Sequence, residues 1–438
     1  MKRVLCVFAL LGAALAAGCG SSDTTSQTKY NTGSGNESYK PTTHLLHRAL
    51  VTNYYSSVLN VMDATQNRLT SYTFAVGTLP SYMQSSPDGT LTLVNNSGAN
   101  TISSFNNSQE VVKGTVSLGG YTQSFVTSTD NESGFAAVPN YSNGTYRDPG
   151  AVVRFNPTDG STLTQVQLPN AEYLGMDTAE KHLMVFTSTD SLAYWVDLTN
   201  NDASTGVPVW YQLSLKDSSG NAVTLSRPTA VYFSSDSTKA YVLSCGPECG
   251  GTSAPTVAVI DTSSISPSTT TSGTVVSATV TNIWSVKGAR TGIIDTTNNI
   301  LYVAGSSGTT STDSGGYTVL DGWFSSINLA STTSTPSTIA IGPGYNRILR
   351  KIGSNFWVGA RNCGVTSCLT IVKSGLASAT VLSTANGNAT GITQCTNTGD
   401  VYTVEGGEFY FYNTSGTALT SEYQVNVTGQ ITDVLYID

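Results

Sequence analysis

The fold is decided by residues 80–118, which read PSYMQSSPDGTLTLVNNSGANTISSFNNSQEVVKGTVSL. Short apolar runs alternate here with turn residues, and the runs are Pro80 to Met83, Leu91 to Asn95, Ile102 to Phe105 and Val112 to Leu118. The first turn, Ser86-Pro87-Asp88-Gly89, is rich in residues that favour tight turns. Short strands bounded by such turns are typical of an antiparallel meander. The stretch therefore predicts a four-stranded antiparallel sheet.

The same unit recurs along the chain. Pro228-Thr229-Ala230-Val231 begins a second copy, in which the spacing from Pro228 to Asp236 equals that from Pro80 to Asp88. Looser copies begin near Tyr121, Ala171, Gly288, Gly344 and Asn388. Repetition of one small unit is the signature of repeat architectures.

The two ends of the chain supply one more copy. Residues 47–77 hold three strands without a first strand, whereas Ile431 to Ile437 is a lone first strand with nothing after it. Pairing of these fragments would close the array into a ring without free sheet ends. Residues 47–438 number 392, or 49 for each of eight units, close to the roughly 40–50 residues of a propeller blade. The sequence predicts an all-β propeller of eight four-stranded blades, or of seven if two looser copies are one blade.

Residues 50–63, LVTNYYSSVLNVMD, resemble the Tyr-Val-Thr-Asn repeat of the YVTN family of β-propellers. The second half of that repeat recurs at residues 257–261, VAVID. The resemblance implies a propeller whose Val and Ile side chains fill the space between blades. Members of the family are mostly envelope or surface proteins without an assigned function, and more distant relatives include quinoprotein-like dehydrogenase subunits and lactonases. The motif therefore implies a fold and transfers no functional residue.

The N-terminus predicts export and lipidation. Residues 1–18 combine a basic start, Lys2-Arg3, with an apolar run of signal-peptide length. The run ends in Ala16-Ala17-Gly18-Cys19, which resembles the bacterial lipobox and implies a lipid on Cys19, and Gly20 by analogy favours the outer membrane. Residues 19–46 are then expected to be a flexible tether rich in Ser, Thr and Gly. The alternative is an ordinary secretory signal with an incidental cysteine.

The charge of the chain limits its partners. Of 20 basic residues, the predicted signal removes two, which leaves 18 against 28 acidic residues. Nucleic-acid binding requires clustered Lys and Arg to contact phosphates, so it is not expected of this acidic chain. The expected partners are a membrane, through the lipid anchor, and a protein, carbohydrate or anionic ligand.

The cysteines fit an oxidising envelope. Cys245 and Cys249 follow one predicted strand closely, and Cys363 and Cys368 follow another, so two local disulfides are predicted. The alternative is a zinc site, which would need four ligands to converge from different repeats. Cys395 lies in an apolar alternating segment and is predicted to be a buried free thiol.

The sequence lacks recognisable catalytic patterns. It has only three histidines, and neither a His-Glu-x-x-His nor a Gly-x-Ser-x-Gly motif. No cofactor and no metal are predicted. A non-catalytic binding scaffold of the cell envelope is the favoured interpretation. The alternatives are an enzyme of the quinoprotein or lactonase type and a structural surface-layer component.

One set of basic residues suggests a binding site. Arg227, Arg290 and Arg347 stand at or near the start of the predicted innermost strand in three consecutive units, and Arg350 follows shortly after the last. Because the innermost strands line the channel of a propeller, these side chains are expected to meet in one funnel. Guanidinium groups suit bidentate binding of carboxylate or phosphate, so a uronic acid or an acidic peptide terminus is a candidate ligand. The alternative is that the arginines pair with acids of other blades, such as Glu405 or Asp433.

Overall fold

The computed structural model describes residues 43–142, 147–187, 191–382, 384–413 and 421–437. Cys19 and the rest of the predicted signal lie outside these residues. The described part contains 34 strands and three short 3-10 helices, at Gly246–Cys249, Thr262–Ser264 and Ser374–Leu376. None of its helices has the length and apolar character needed to cross a bilayer. The prediction of an all-β protein is confirmed.

The strands are short, as expected for a meander, and are numbered here in chain order. Those of the first half are β1 (Arg48–Asn53), β2 (Val58–Asp63), β3 (Arg68–Ala75), β4 (Pro80–Ser85), β5 (Leu91–Asn96), β6 (Thr101–Asn106), β7 (Val111–Ser117), β8 (Ser124–Thr127), β9 (Gly134–Val138), β10 (Tyr141–Ser142), β11 (Arg147–Asp148), β12 (Ala151–Phe155), β13 (Thr162–Gln167), β14 (Ala171–Met176), β15 (His182–Thr187), β16 (Ala193–Asn201) and β17 (Pro208–Asp217). Those of the second half are β18 (Pro228–Phe233), β19 (Lys239–Ser244), β20 (Thr256–Asp261), β21 (Thr274–Ser285), β22 (Thr291–Asp295), β23 (Ile300–Thr312), β24 (Thr318–Asn328), β25 (Ser337–Ile341), β26 (Tyr345–Ile352), β27 (Asn355–Arg361), β28 (Leu369–Val372), β29 (Ala379–Val381), β30 (Ala389–Gln394), β31 (Val401–Glu405), β32 (Glu408–Asn413), β33 (Ser421–Val425) and β34 (Ile431–Ile437).

The strands form six four-stranded sheets, one eight-stranded sheet and the small β10–β11 hairpin. The eight-stranded sheet consists of two antiparallel four-stranded halves, β14 to β17 and β18 to β21, which meet where β17 and β21 pair in parallel. Read as two units, this sheet brings the four-stranded units of the described residues to eight; read as one, it leaves seven units. The predicted number of blades therefore stays a prediction.

The repeated turns have the same local chemistry. Asp88 accepts hydrogen bonds from Ser86 Oγ (2.6 Å) and from the Thr90 N–H (3.0 Å). Asp236 does the same in the second copy, with Ser234 Oγ at 2.6 Å and the Thr238 N–H at 3.1 Å. A carboxylate that binds the backbone N–H two residues later stabilises such a turn, so the equal spacing seen in the sequence reflects equal turns.

The ends of the chain pair as predicted. β34 is antiparallel to β1, with Arg48 opposite Ile437, and completes the sheet formed by β1, β2 and β3. β34 also contacts the next sheet, because Asp433 Oδ2 accepts the Met83 N–H of β4 at 2.6 Å. The last strand of the chain thus joins its first sheet to the second, and the ring has no free end there.

The core lies between the faces of neighbouring sheets. Leu50 and Phe74 of the first sheet pack with Val94 and Phe105 of the second, and the rings of Phe74 and Phe105 are 5.0 Å apart. Burying each such side chain stabilises the fold by about 1.5–3 kcal/mol. The same packing of apolar side chains recurs between neighbouring sheets. It sets the height along the ring axis at which each inner strand begins.

Two polar segments extend strands. Residues 274–280 of β21 pair with Tyr211 to Asp217, and residues 310–312 of β23 pair with the start of β24. The first segment is rich in Thr and Val and the second contains two Thr, and such branched side chains favour extended backbone despite the polarity of Thr. The extended β23–β24 hairpin lies beside the site described next.

Candidate ligand-binding site

A pocket of about 260 Å³ lies where the first strands of five consecutive units begin, at β8, β14, β18, β22 and β26. Inner strands that begin at the same end of a ring bring the residues at their starts together. We call this cavity the arginine pocket. Its lining residues are Gln123, Glu172, Tyr173, Thr187, Arg227, Pro228, Thr229, Glu248, Cys249, Arg290 and Arg347.

Arg227 stands directly before β18 in a left-handed backbone conformation, with φ of 59°. This conformation is uncommon for a residue other than glycine and is held here by surrounding contacts. The Arg227 carbonyl oxygen accepts the Cys245 N–H at 3.1 Å. The start of β18 is thereby tied to the end of β19 and to the disulfide that follows it.

Arg290 is held in the pocket by Tyr173 and Cys249, and it forms no ion pair with a described residue. Its Nη2 donates to the Tyr173 hydroxyl at 2.8 Å, and the guanidinium carbon lies 5.1 Å from the centre of the Tyr173 ring. Its Nη1 donates to Cys249 Sγ at 3.0 Å. An aromatic face and a sulfur orient the guanidinium but do not neutralise its charge.

Arg347 lies in β26 and has one exposed side. Its guanidinium carbon is 5.8 Å from the centre of the Tyr345 ring. Partial burial, followed by the positive charges of Arg290 and Arg361, lowers the pKa of Arg347 from its usual value. Like charges are therefore held near one another here, and the Glu248 carboxylate opposes their effect on the pKa of Arg347 only in part.

The alternative pairing with distant acids is not observed for Arg290, Arg347 or Arg350. The ion pairs of the described residues include those of Arg48 with Glu110, His182 with Asp177 and Lys351 with Asp295. Glu405 instead accepts hydrogen bonds from Thr403 and Tyr412, both at 2.7 Å. Asp433 accepts the backbone N–H groups of Met83 and Val434.

Arg350 does not line the arginine pocket, contrary to its grouping with the other three arginines. It lies further along β26, and its Nη1 donates to the Leu349 carbonyl at 3.2 Å. Its charge acts instead near Asp433. Burial raises the pKa of Asp433 to about 7, against the opposing effects of the Met83 N–H, Arg350, the Val434 N–H and Arg361.

Glu172 is a pocket residue that the sequence did not reveal. It lies in β14, is 9% exposed, and accepts a hydrogen bond from Gln123 Nε2 at 2.9 Å. Burial raises the pKa of the Glu172 carboxyl, and the charge of Arg290 is the strongest opposing influence. Glu172 follows Ala171 as Thr229 follows Pro228, so aligning the two repeats at these positions would have identified it.

Glu248 is the second carboxylate of the pocket. It lies in the short 3-10 helix between Cys245 and Cys249, and its Oε2 accepts the Ser306 N–H at 2.7 Å. Its Oε1 is buried without a hydrogen-bond partner. Burial raises the pKa of Glu248 to about 7, although the Ser306 N–H, Arg290 and Arg347 oppose the shift.

Both predicted disulfides are present. Cys245 pairs with Cys249 and Cys363 pairs with Cys368, while Cys395 is free and buried, as predicted. The alternative zinc site is therefore excluded for these four cysteines. More generally, the described residues contain no cluster of three or more His, Cys, Asp or Glu side chains suited to a metal ion.

Comparison with known proteins supports the fold. No family model and no curated protein matches the sequence. The dihydro-heme d1 dehydrogenase NirN, solved in complex with DHE, is similar in structure, with a TM-score of 0.60, 14% identity, and coverage of 91% of this chain and 77% of that one. The Pseudomonas aeruginosa periplasmic gluconolactonase PpgL has a TM-score of 0.47 at 12% identity, over 90% of this chain and 99% of that one.

A putative 6-phosphogluconolactonase from Bacteroides fragilis is similar to the same degree, with a TM-score of 0.47 at 12% identity over 91% of this chain and 99% of that one. At such identities the likeness concerns the fold alone. Together with the closed array of four-stranded sheets, the likeness to NirN shows that the chain is a β-propeller. Propellers serve both as enzymes and as binding scaffolds, so the function has to be argued from the site.

Proposed function

We propose that this protein is a lipid-anchored propeller of the cell envelope that binds an anionic ligand in the arginine pocket without transforming it. The observation that carries the proposal is the convergence of Arg227, Arg290 and Arg347, from three consecutive units, on one cavity. Arg290 and Arg347 form no ion pair with a described residue. The chain as a whole carries a net charge of −8, so this local positive charge runs against its average.

A ligand anion would balance the single positive charge by which the three guanidinium groups exceed the two carboxylates of the lining. A partly buried guanidinium without a direct ion pair has lost hydration without full compensation. A charged hydrogen bond to such a group contributes about 1.5–3 kcal/mol. Two or more guanidinium groups acting on one carboxylate or phosphate also fix its orientation, because their donors match its oxygens.

The lining of the pocket favours binding over catalysis. Among the described lining residues there is no histidine, no serine and no free thiol. His182 lies elsewhere, at the start of β15, where it contacts Asp177 at 2.9 Å and stacks on Trp195. The Ser–His and Cys–His pairs of hydrolytic enzymes are therefore not assembled among these lining residues.

The proposed cellular location of the protein depends on its first residues. Residues 1–18 as a signal, lipid on Cys19 and a tether over 19–46 would place the propeller at the outer membrane. Two disulfides in the propeller support an oxidising compartment. If Cys19 is lipidated, the wild-type protein should enter the detergent phase on phase separation and Cys19→Ala should not. Equal partitioning of both would contradict the anchor.

Binding can be tested by isothermal titration of citrate, inorganic phosphate and D-glucuronate. Arg227→Ala/Arg290→Ala should weaken the best-bound anion at least about tenfold, since at least one charged hydrogen bond is lost. Arg68→Ala/Lys239→Ala removes two exposed positive charges on β3 and β19, outside the pocket, and is the charge-matched control. Equal affinity of both variants, or negligible binding by the wild type, would refute the proposal.

A further inference from the structure

The charge and size of the arginine pocket restrict its ligand. Three guanidinium groups and two carboxylates line it, so its net charge is +1 when Glu172 and Glu248 are both ionised. Its volume of about 260 Å³ lies just below the roughly 300–1,000 Å³ of sites for drug-sized molecules. A ligand of about the size of one sugar ring, carrying one negative charge, matches both quantities.

The carboxylates are acceptors placed beside the cations. Glu172 is nine-tenths buried in the pocket wall, and one of its oxygens is held by Gln123. Glu248 is held through Oε2, while its Oε1 has no partner. An ionised carboxylate repels a phosphate dianion because both are negatively charged. It can only accept hydrogen bonds, and hydroxyl groups can donate them.

The rest of the lining is polar. The hydroxyl-bearing residues Thr187 and Thr229 and the amide of Gln123 border the cavity, while Tyr173 supplies an aromatic face beneath Arg290. Such groups exchange hydrogen bonds with several hydroxyls at once. A hydrocarbon acid would leave the buried Glu248 Oε1 without a donor, which costs free energy.

We propose that the arginine pocket binds a polyhydroxylated monocarboxylate of monosaccharide size, that is, a sugar acid. Its carboxylate lies against Arg290 and Arg347, and its hydroxyl groups donate to Glu172 and Glu248. This assignment rests on the proposed function, since it specifies the anion that the same pocket takes.

The test compares two sugar acids with three compounds that lack or replace one of their recognised groups. D-Glucuronate and D-gluconate carry the carboxylate and the hydroxyls, D-glucose lacks the charge, D-glucose 6-phosphate carries a phosphate, and alanine carries an ammonium. Titrations are carried out at pH 8 and low salt, conditions that favour the ionised form of the pocket glutamates. At least one sugar acid should bind at least about tenfold more tightly than each of the other three compounds, the difference of about one charged hydrogen bond.

Glu172→Gln separates recognition of hydroxyls from attraction of anions. It should weaken the bound sugar acid about tenfold or more, because one charged acceptor is lost, and should leave phosphate binding unchanged or stronger, because a repulsive charge is removed. Glu132→Gln, an exposed glutamate outside the pocket, is the matched control. Glu248→Gln is the second variant if Glu172→Gln does not fold.

The outcomes distinguish the two proposals. Tighter binding of glucose 6-phosphate or alanine than of either sugar acid would overturn the sugar-acid assignment and leave an ionic ligand in the pocket. Equal loss of sugar-acid and phosphate binding in Glu172→Gln would also overturn it. If none of these anions binds the wild-type protein, the sugar-acid assignment and the binding function both fail.

Discussion

Two arginine environments in this propeller differ in what surrounds the charge. In the sheet that β34 completes, which we call the closing sheet, Arg48 of β1 is 5% exposed. Its Nη1 donates to the Glu110 carboxylate and the Asn107 carbonyl. In the arginine pocket, Arg290 contacts an aromatic ring and a sulfur, and Arg347 has one exposed side. The first charge is paired with a carboxylate within the protein, whereas the second pair of charges is oriented but forms no ion pair with a described residue. A buried paired charge serves the fold, and an oriented unpaired one is available to a ligand.

The largest effect should come from breaking the closing sheet itself. Deleting residues 431–438 removes β34, exposes the paired edge of β1 and takes away the contact of Asp433 with Met83. We expect loss of cooperative unfolding, measured by circular dichroism during heating. A truncated protein that melts cooperatively at the wild-type temperature would contradict ring closure through this strand.

Substitution of single arginines should separate the two environments. Arg48→Ala leaves the Glu110 carboxylate, 1% exposed, without its cation, and should cost about 3 kcal/mol of unfolding free energy. Arg347→Ala removes a partly exposed charge and should change stability by about 0.5 kcal/mol or less, while weakening the ligand. Urea denaturation and titration of the best-bound anion measure the two effects. Equal destabilisation by Arg48→Ala and Arg347→Ala would contradict the difference between the two arginine environments.

A smaller effect should follow from the ionisation of Glu248. Its pKa in the folded protein is raised to about 7 from a usual value of 4.5. The folded state therefore holds a proton that the unfolded state has released, and stability falls as pH rises between these values. Between pH 5 and pH 8, Glu248→Gln should lose less stability than the wild type, by about 2 kcal/mol.

The comparison of wild type and Glu248→Gln isolates this residue. Asp433, whose pKa is also raised to about 7, has the same pH dependence but is present in both proteins. Urea denaturation at the two pH values gives the free energies, and Glu132→Gln should behave as the wild type. The same pH dependence in Glu248→Gln and in the wild type would show that Glu248 titrates normally.

The sequence predicted those features that follow from the repeat. Equal spacing of Pro80 to Asp88 and of Pro228 to Asp236 reflects equal turns, and this regularity located the inner strands and hence the level of Arg227, Arg290 and Arg347. The unmatched ends of the chain predicted the pairing of β34 with β1. Cysteine spacing predicted both disulfides, because each pair lies within one loop.

What the sequence did not reveal depends on contacts between repeats. Glu248 enters the pocket because its disulfide loop meets Ser306 of the next unit, and no local pattern encodes that contact. Arg350 was grouped with Arg347 because the two are close in sequence. Arg350 lies three residues further along the same strand and does not line the cavity.

The most direct test is chemical modification of arginine side chains by phenylglyoxal, with peptide mass spectrometry, in the presence and absence of saturating D-glucuronate. The account predicts that the ligand slows modification of Arg227, Arg290 and Arg347 several-fold and leaves Arg68 and Arg350 unchanged. Modification of the three pocket arginines at the same rate with and without the ligand would contradict it.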